Sequence, residues 1–96
     1  MPNYVILANW TDQGIKNVKD SARRSEAFET AIEKVDGKSI GLDYTLGEHD
    51  MVAVVQAPND EAIASVLYSA GSLGNVRTET LRAFSISEAA KIIEKS

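Results

Sequence analysis

Cysteine is missing from this chain of 96 residues, and histidine occurs once. Without cysteine the chain has no disulfide framework, no thiolate nucleophile and no cysteine-ligated metal. The single histidine, with no His-x-x-His or Asp-x-Asp spacing anywhere in the sequence, predicts that there is no dedicated metal site. Glycine-rich loops that open a helix and serine-nucleophile motifs are missing too, so we expect neither a bound cofactor nor serine-based catalysis.

Long apolar runs are also missing. No stretch approaches the roughly 18 apolar residues that a membrane-spanning helix needs. The first residues, Met1-Pro2-Asn3, lead directly into a strand-like segment, without the basic and apolar regions of a signal peptide. We therefore expect a soluble cytoplasmic protein with no membrane partner.

Positive charge is scarce, and the formal net charge is −4. General nucleic-acid binding needs clustered lysine and arginine against the phosphates. One basic stretch is present, but three glutamates follow it at once; its members are Lys16, Lys19, Arg23 and Arg24. We interpret this stretch as a solvated helix face rather than a polyanion site, and we expect no nucleic-acid partner.

The chain does contain a regular alternation of strand and helix patterns. Its hydrophobic fraction of 44% is ordinary for a soluble protein, and residues 1–96 are predicted to form a single domain. Strands are predicted at 4–8, 38–46, 51–57 and 75–84. Helices are predicted at 12–19 and 21–36, or as one continuous bent helix, and again after the caps Asn59 and Ser85.

The first helical region carries an apolar stripe at helical spacing. Ser25 is the one polar residue on this stripe, and Gly37 is expected to end the helix as its C-cap. The stripe is expected to face the sheet, and its members are Ile15, Val18, Ala22, Phe28, Ile32 and Val35.

This order of elements predicts an α+β fold of the ferredoxin-like type, βαββαβ with an added C-terminal helix. Right-handed crossovers place both long helices on one face of a four-stranded antiparallel sheet. The segments 4–8 and 51–55 are apolar almost throughout, so the second face also needs a cover. A second copy of the chain is the usual cover in small domains of this type, and we therefore expect a homodimer that forms a dimeric α/β barrel. The sequence does not distinguish this dimer from a larger assembly of dimers.

Three segments resemble GYD-domain proteins: 9–15 (NWTDQGI), 45–50 (TLGEHD) and 71–80 (GSLGNVRTET). The resemblance covers essentially the whole chain. It implies a dimeric α+β barrel and no particular activity. The turn in the second segment is similar to one in several dimeric α/β-barrel families, including effector-binding domains of leucine-responsive-type regulators. The family name reflects a tyrosine in this turn, but the present chain has His49 at that place. A role for the tyrosine hydroxyl therefore does not carry over unchanged.

His49 is the candidate catalytic residue, because imidazole titrates near neutrality and Asp50 follows it directly. Adjacent residues on a strand point to opposite faces, so Asp50 is poorly placed to orient its neighbour. The alternative is structural: His49 caps the hairpin, and Asp50 accepts hydrogen bonds from backbone amides in the turn.

Further candidate ligand-binding residues are Trp10, Tyr44, Asn9 and Arg77, together with His49 and Asp50. Trp10 and Tyr44 suit an aromatic-walled pocket between the sheet and the first long helix, although Trp10 would equally fill the end of a small core. Asn9 would add a polar contact or serve in helix capping. Arg77 would clamp a carboxylate or phosphate, or form a salt bridge at the surface or between subunits.

Three functions remain open from the sequence. The first is a homodimeric module that binds or senses a small apolar or aromatic molecule. The second is a small cofactor-free enzyme, of oxygenase or isomerase type, in which His49 transfers a proton. The third is an assembly domain without a ligand. Fold-level analogy does not choose among them.

Overall fold

The computed structural model describes residues 1–96 as four strands and four helices. A single 3-10 turn at Val18–Asp20 separates the first two helices. The elements, in chain order, are β1 (Asn3–Trp10), α1 (Asp12–Lys16), α2 (Ser21–Lys34), β2 (Lys38–Tyr44), β3 (Met51–Gln56), α3 (Asp60–Ser72), β4 (Val76–Ala83) and α4 (Ile86–Lys95).

The strands form one antiparallel sheet in the order β2-β3-β1-β4. This confirms the predicted α+β class and the four-stranded antiparallel sheet. β1 and β3 are central, as their continuous apolar sequences indicated. The pairing of β2 with β3 is regular except for a bulge, where the register shifts between Ser39 and Gly41 and leaves Ile40 as an extra residue.

The two faces of the sheet differ in burial. Along β1, Tyr4, Ile6 and Ala8 are buried against the helices, whereas the residues between them are partly exposed. Helices α2 and α3 cover the buried face, and Ile32 of α2 and Val55 of β3 are completely inaccessible. The other face, hereafter the outer face, is formed by Val5, Leu7, Val52, Val54 and Leu81, and no helix of this chain covers it.

The predicted stripe of the first helical region is partly wrong. Ile15 and Val18 are 48% and 40% exposed, and Ala22 is exposed as well. The cause is the 3-10 turn, whose three residues per turn shift the phase between α1 and α2. The rest of the stripe is confirmed, since Phe28, Ile32 and Val35 face the core with Ser25 beside them, and Ser21 and Arg24 join this inward face.

Gly37 is also not the left-handed residue that ends α2. Asp36 takes that conformation, with φ of 64°, and the amides of Asp36 and Gly37 donate to Glu33 O and Ile32 O at 3.0 and 2.9 Å. Gly37 is needed for a different reason. A Cβ atom there would lie 2.5 Å from Gln56 O, so only glycine lets the end of α2 approach β3 this closely.

Helix α4 stands apart from the rest of the fold. None of its residues is buried, and it has no substantial packing partner. Its apolar side is exposed, with Ile86 and Ile93 at 91% and 69%. The domain is correspondingly elongated, 48 × 30 × 18 Å. No helix combines the length and apolar character needed to cross a membrane.

Candidate functional site

The three sequence segments 9–15, 45–50 and 71–80 meet at one end of the sheet. The β2–β3 hairpin is fastened to the end of β1, because Trp10 N–H donates to Asp50 Oδ2 and Asp50 N–H donates to Ala8 O, both at 2.9 Å. Asp50 therefore bonds a backbone amide, as the structural alternative expected, but the amide belongs to β1 and not to the turn.

The segment after β1 is joined to the loop between α3 and β4. Thr11 is the N-cap of α1, accepting from Gly14 N–H at 3.1 Å, and its hydroxyl donates to Gly74 O at 2.5 Å. Gln13 Nε2 donates to Leu73 O at 3.0 Å. Gly14 lies so close to this loop that a Cβ atom would be 1.9 Å from Asn75 O. These contacts make the end of the sheet a fixed scaffold.

His49 is oriented by Asn9 rather than by Asp50. The Asn9 amide nitrogen donates to Glu48 O at 2.6 Å, so Asn9 Oδ1 faces His49 Nδ1, 2.9 Å away. An amide oxygen only accepts, and Nδ1 must therefore carry the proton of the neutral ring. The other ring nitrogen, Nε2, is left as the proton acceptor.

The surface beside His49 is a shallow polar concavity of about 330 Å³ on the outer face, which we call the hairpin concavity. It brings together three of the predicted site residues, Asn9, His49 and Arg77. The other lining residues are Leu7, Glu48, Thr78 and Glu79. The hairpin concavity thus combines a proton acceptor, one guanidinium and two carboxylates.

Trp10 and Tyr44 lie on the opposite face of the sheet, under α2. Their ring centroids are 6.2 Å apart, and the Tyr44 hydroxyl forms hydrogen bonds with Ser21 Oγ at 2.9 Å and Ser25 Oγ at 2.7 Å. Trp10 Nε1 is buried without a hydrogen-bond partner. The structure therefore places Trp10 and Tyr44 on one face of the sheet and Asn9 with His49 on the other, because successive residues of a strand point to opposite faces.

The second concave region is an apolar cavity of about 220 Å³ between the sheet, α2 and α3. Of its 18 lining residues 12 are hydrophobic, and Arg24 is the one charged residue among them. The apolar wall includes Ile6, Phe28, Leu42, Met51, Val66 and Leu73. None of the six predicted ligand-binding residues lines this cavity, although Tyr44 bonds Ser21 and Ser25, which do.

Arg24 is the lining residue that sequence reasoning placed in solvent. It is half-buried, and its guanidinium donates to Asn17 O at 3.1 Å and to Gly14 O at 3.3 Å. The signal was available in the spacing of Ser21, Arg24, Ser25 and Phe28, which places all four on one helix face. It was obscured by reading α1 and α2 as one stripe.

At the opposite end of the sheet, the buried Tyr4 is bonded to the exposed Asp60. Tyr4 is 3% exposed, and its hydroxyl donates to Asp60 Oδ1 at 2.5 Å. Burial, followed by the hydrogen bond to the Asp60 carboxylate, raises the pKa of Tyr4 to about 12. The guanidinium of Arg82 lies over the Tyr4 ring, 5.7 Å from its centroid. This arrangement faces neither concave region and is structural.

Comparison with known proteins gives a family and a fold. A model of the GYD domain matches residues 4–93. A relative from Thermus thermophilus, named glutamine synthetase and cystathionine beta-lyase binding protein, is 28% identical over 89 residues, covering 92% of this chain and 94% of the relative.

Two solved structures are similar. TTHA0845 from Thermus thermophilus aligns with a TM-score of 0.56 at 26% identity, over 88% of this chain and 95% of that one. MtbAldR aligns with a TM-score of 0.62 at 13% identity, over 88% of this chain and 53% of that one. The second likeness shows the fold alone.

Proposed function

Because the chain belongs to the GYD-domain family, we propose that it is a homodimeric module that binds a small apolar or aromatic molecule between the sheet and helices α2 and α3. The observation that carries the proposal is the apolar cavity of about 220 Å³ inside an otherwise small core. An engineered cavity of roughly 150 Å³ in another protein holds benzene. A one- or two-ring compound therefore matches the size of this cavity.

Binding is favoured over catalysis at this cavity by the chemistry of its wall. The lining has no carboxylate, histidine or lysine to move a proton, and its hydroxyls belong to Ser21, Ser25, Ser69 and Thr78. The Ser21 and Ser25 hydroxyls are engaged with Tyr44. Apolar walls with a few fixed polar groups are typical of binding sites that select a ligand by shape.

The homodimer in this proposal rests on two exposed apolar surfaces. The outer face presents Val5, Val54 and Leu81 side by side on three neighbouring strands. Helix α4 exposes Ile86 and Ile93. A second copy that packs on the outer face would remove Val5, Val54 and Leu81 from water. Burial of apolar surface stabilises such a contact by about 25 cal/mol per Å².

The experiment that tests the cavity uses indole as a neutral probe and thermal unfolding as the readout. At ten times its Kd, a ligand that binds only the folded protein adds about 1.4 kcal/mol, or about 6–11 °C in Tm for a domain of this size. Ala70→Leu places a larger side chain on the cavity wall and should abolish this shift. The matched control is Ala64→Leu, which changes the same helix outside the cavity.

An unchanged Tm of the native protein at millimolar indole would count against the proposal, as would an equal shift in both variants. Native mass spectrometry of the purified protein adds a direct readout. A mass above that of the bare chains would identify the molecule retained from the cell.

A second candidate is a cofactor-free enzyme that uses His49. It is favoured by His49, whose Nε2 is the acceptor in the neutral ring, and by Arg77, since both residues line the hairpin concavity. His49→Gln would abolish such an activity and leave indole binding unchanged, because the hairpin concavity lies on the other face of the sheet.

A third candidate is binding of a partner enzyme, favoured by the name of the Thermus relative and by the exposed apolar side of α4. Calorimetric titration with purified glutamine synthetase tests it. This role would be supported if the Ala70→Leu variant still bound the enzyme and a variant truncated after Phe84 did not. The absence of any heat of binding with the native protein would count against it.

A further inference from the structure

Arg24 brings an uncompensated positive charge to an otherwise apolar cavity. Its two hydrogen-bond acceptors, Asn17 O and Gly14 O, are neutral backbone carbonyls, and the wall of the cavity contains no carboxylate. A guanidinium has five N–H donors, and these two bonds use only two of them. Both acceptors belong to the C-terminal part of α1, the remaining donors have no partner within the chain, and Arg24 lines the cavity.

The place of Arg24 in α2 argues against a role in stabilising the helix. It lies in the first turn of α2, which contains no acidic residue, and a cation near a helix N-terminus opposes the helix dipole. Arg23 lies in the same turn but is exposed. Water screens the charge of Arg23, whereas the half-buried charge of Arg24 lies beside apolar walls and gains more from an anionic partner.

From these observations we infer that the cavity ligand is a monocarboxylate with a compact apolar or aromatic body, whose carboxylate pairs with Arg24 while its body fills the space between Phe28, Leu42 and Val66. A single guanidinium matches one carboxylate in charge and in its fork of donors. This inference deepens the proposed function and depends on it.

The test compares three probes that share one ring system: indole, indole-3-acetate and indole-3-acetamide. The acetate and the amide have nearly the same shape, so their difference in Kd isolates the charge. For the native protein we expect the acetate to bind at least about ten-fold more tightly than the amide, as a charge-assisted hydrogen bond implies. Isothermal titration at fixed ionic strength measures all three.

Arg24→Gln should reduce the preference for the acetate over the amide to about one-fold. The matched control is Arg23→Gln, which removes the same charge from the same turn of α2 and should keep the preference. Arg24→Lys provides a second variant should the glutamine variant fold poorly. It keeps the charge without the fork of donors, and part of the preference should remain.

The outcomes separate the two proposals. Equal Kd values for the acetate and the amide, with indole still bound, would overturn the carboxylate inference and leave the binding function in place. An equal loss of acetate preference in Arg23→Gln and Arg24→Gln would also overturn it, because a general field effect would then explain the result. Failure of all three probes to bind the native protein would overturn the proposed binding function itself.

Discussion

The amide of Asn9 decides which chemistry is open to His49. Because its nitrogen is held by Glu48 O, its oxygen faces the ring and places the proton of neutral His49 on Nδ1. This is a positioning role, as Asn9 acts through the imidazole. Asp50, which the sequence placed poorly for orienting its neighbour, is bonded instead to Trp10 N–H.

The protonation of His49 can be observed directly. Nitrogen-15 NMR above the titration range should show the proton of His49 on Nδ1, with Nε2 unprotonated. Asn9→Ala removes the acceptor and should allow a mixture of both tautomers. A ring that is protonated on Nε2 in the native protein would contradict the hydrogen bond to Asn9 Oδ1 and weaken the catalytic candidate.

Gly14 is the residue where the smallest change should have a large effect. An ideal Cβ atom at residue 14 would lie 1.9 Å from Asn75 O. Gly14→Ala therefore pushes α1 away from the loop before β4. We expect a loss of about 1–3 kcal/mol in the free energy of unfolding, measured by urea denaturation.

The control for this change is Gly71→Ala. A Cβ atom at Gly71 meets nothing within 4 Å, and the residue is inside α3, where alanine is the better helix former by about 1 kcal/mol. Gly71→Ala should be neutral or stabilising. Equal losses at Gly14 and Gly71 would show that steric contact with Asn75 is not the cause.

Tyr4 gives the free energy of unfolding a dependence on alkaline pH. Its pKa is about 12 in the folded protein because of burial and the bond to Asp60, against an ordinary value of 10.0. Between these values the folded state keeps a proton that the unfolded state has lost, so the contribution of Tyr4 to stability is fully present below pH 10 and is lost from pH 10 toward pH 12. Tyr4→Phe should remove this part of the pH dependence in urea titrations, and an unchanged slope would contradict the assignment.

Local sequence signals predicted the caps of the helices but not the whole inward face of α2. Caps were predictable because each is a local hydrogen bond: Asn59 Oδ1 accepts from Ala62 N–H at 2.9 Å, and Ser85 and Glu88 form the expected capping box. The inward face of α2 was not predictable from a single period. The sequence predicted a break before residue 21, as one of two alternatives, but not the 3-10 turn at Val18–Asp20 that changes the phase.

Helix α4 depends on its own capping box. Hydrogen bonds from Ser85, first from its backbone amide and then from its hydroxyl, lower the pKa of Glu88. The contribution of Glu88 is therefore present above its ordinary pKa of 4.5 and is lost as the pH falls below that value. The protection factors of the α4 amides, which compare the observed exchange with the intrinsic rate at the same pH, should therefore fall on acidification.

Glu88→Gln is the control, and it should make these protection factors insensitive to pH through the same range. Because α4 has no substantial packing partner within the chain, neither change should alter the unfolding of the sheet. A shift of the global midpoint in Glu88→Gln would show instead that α4 is bound to the body of the protein or to a second copy.

The homodimer remains a prediction for the whole molecule. A charge introduced on the outer face tests it. Leu81 is 46% exposed within a single chain, so Leu81→Lys should leave the monomer folded while placing a charge in the proposed interface. Light scattering of the native protein should give twice the chain mass of 10.4 kDa, and that of Leu81→Lys should give the single chain.

The control variant is Tyr68→Lys, which replaces another exposed apolar residue on α3, away from the outer face. It should keep the mass of the native protein. If the native protein has the mass of a single chain, the dimer prediction is wrong. If the Leu81→Lys variant is still a dimer, the interface lies elsewhere.

The order and pairing of the strands followed from the sequence, but the two concave regions did not. Strand patterns are local, and antiparallel pairing through a short hairpin leaves few arrangements. A cavity depends on residues from three elements that are distant in sequence, such as Phe28, Leu42 and Leu73. The sequence did bring Asn9, His49 and Arg77 forward as candidates, and it could not show that Tyr44 lies on the other face.

The bulge at Ile40 bears on how this protein resists aggregation. β2 is an edge strand, and a regular edge strand offers unpaired amides and carbonyls on which strands of other molecules can assemble. The extra residue interrupts that row in the middle of β2, and Lys38 and Asp43 place opposite charges on either side of it. An approaching strand would therefore find only short runs of partners in register, which are a poor template for a fibril nucleus to grow along this edge.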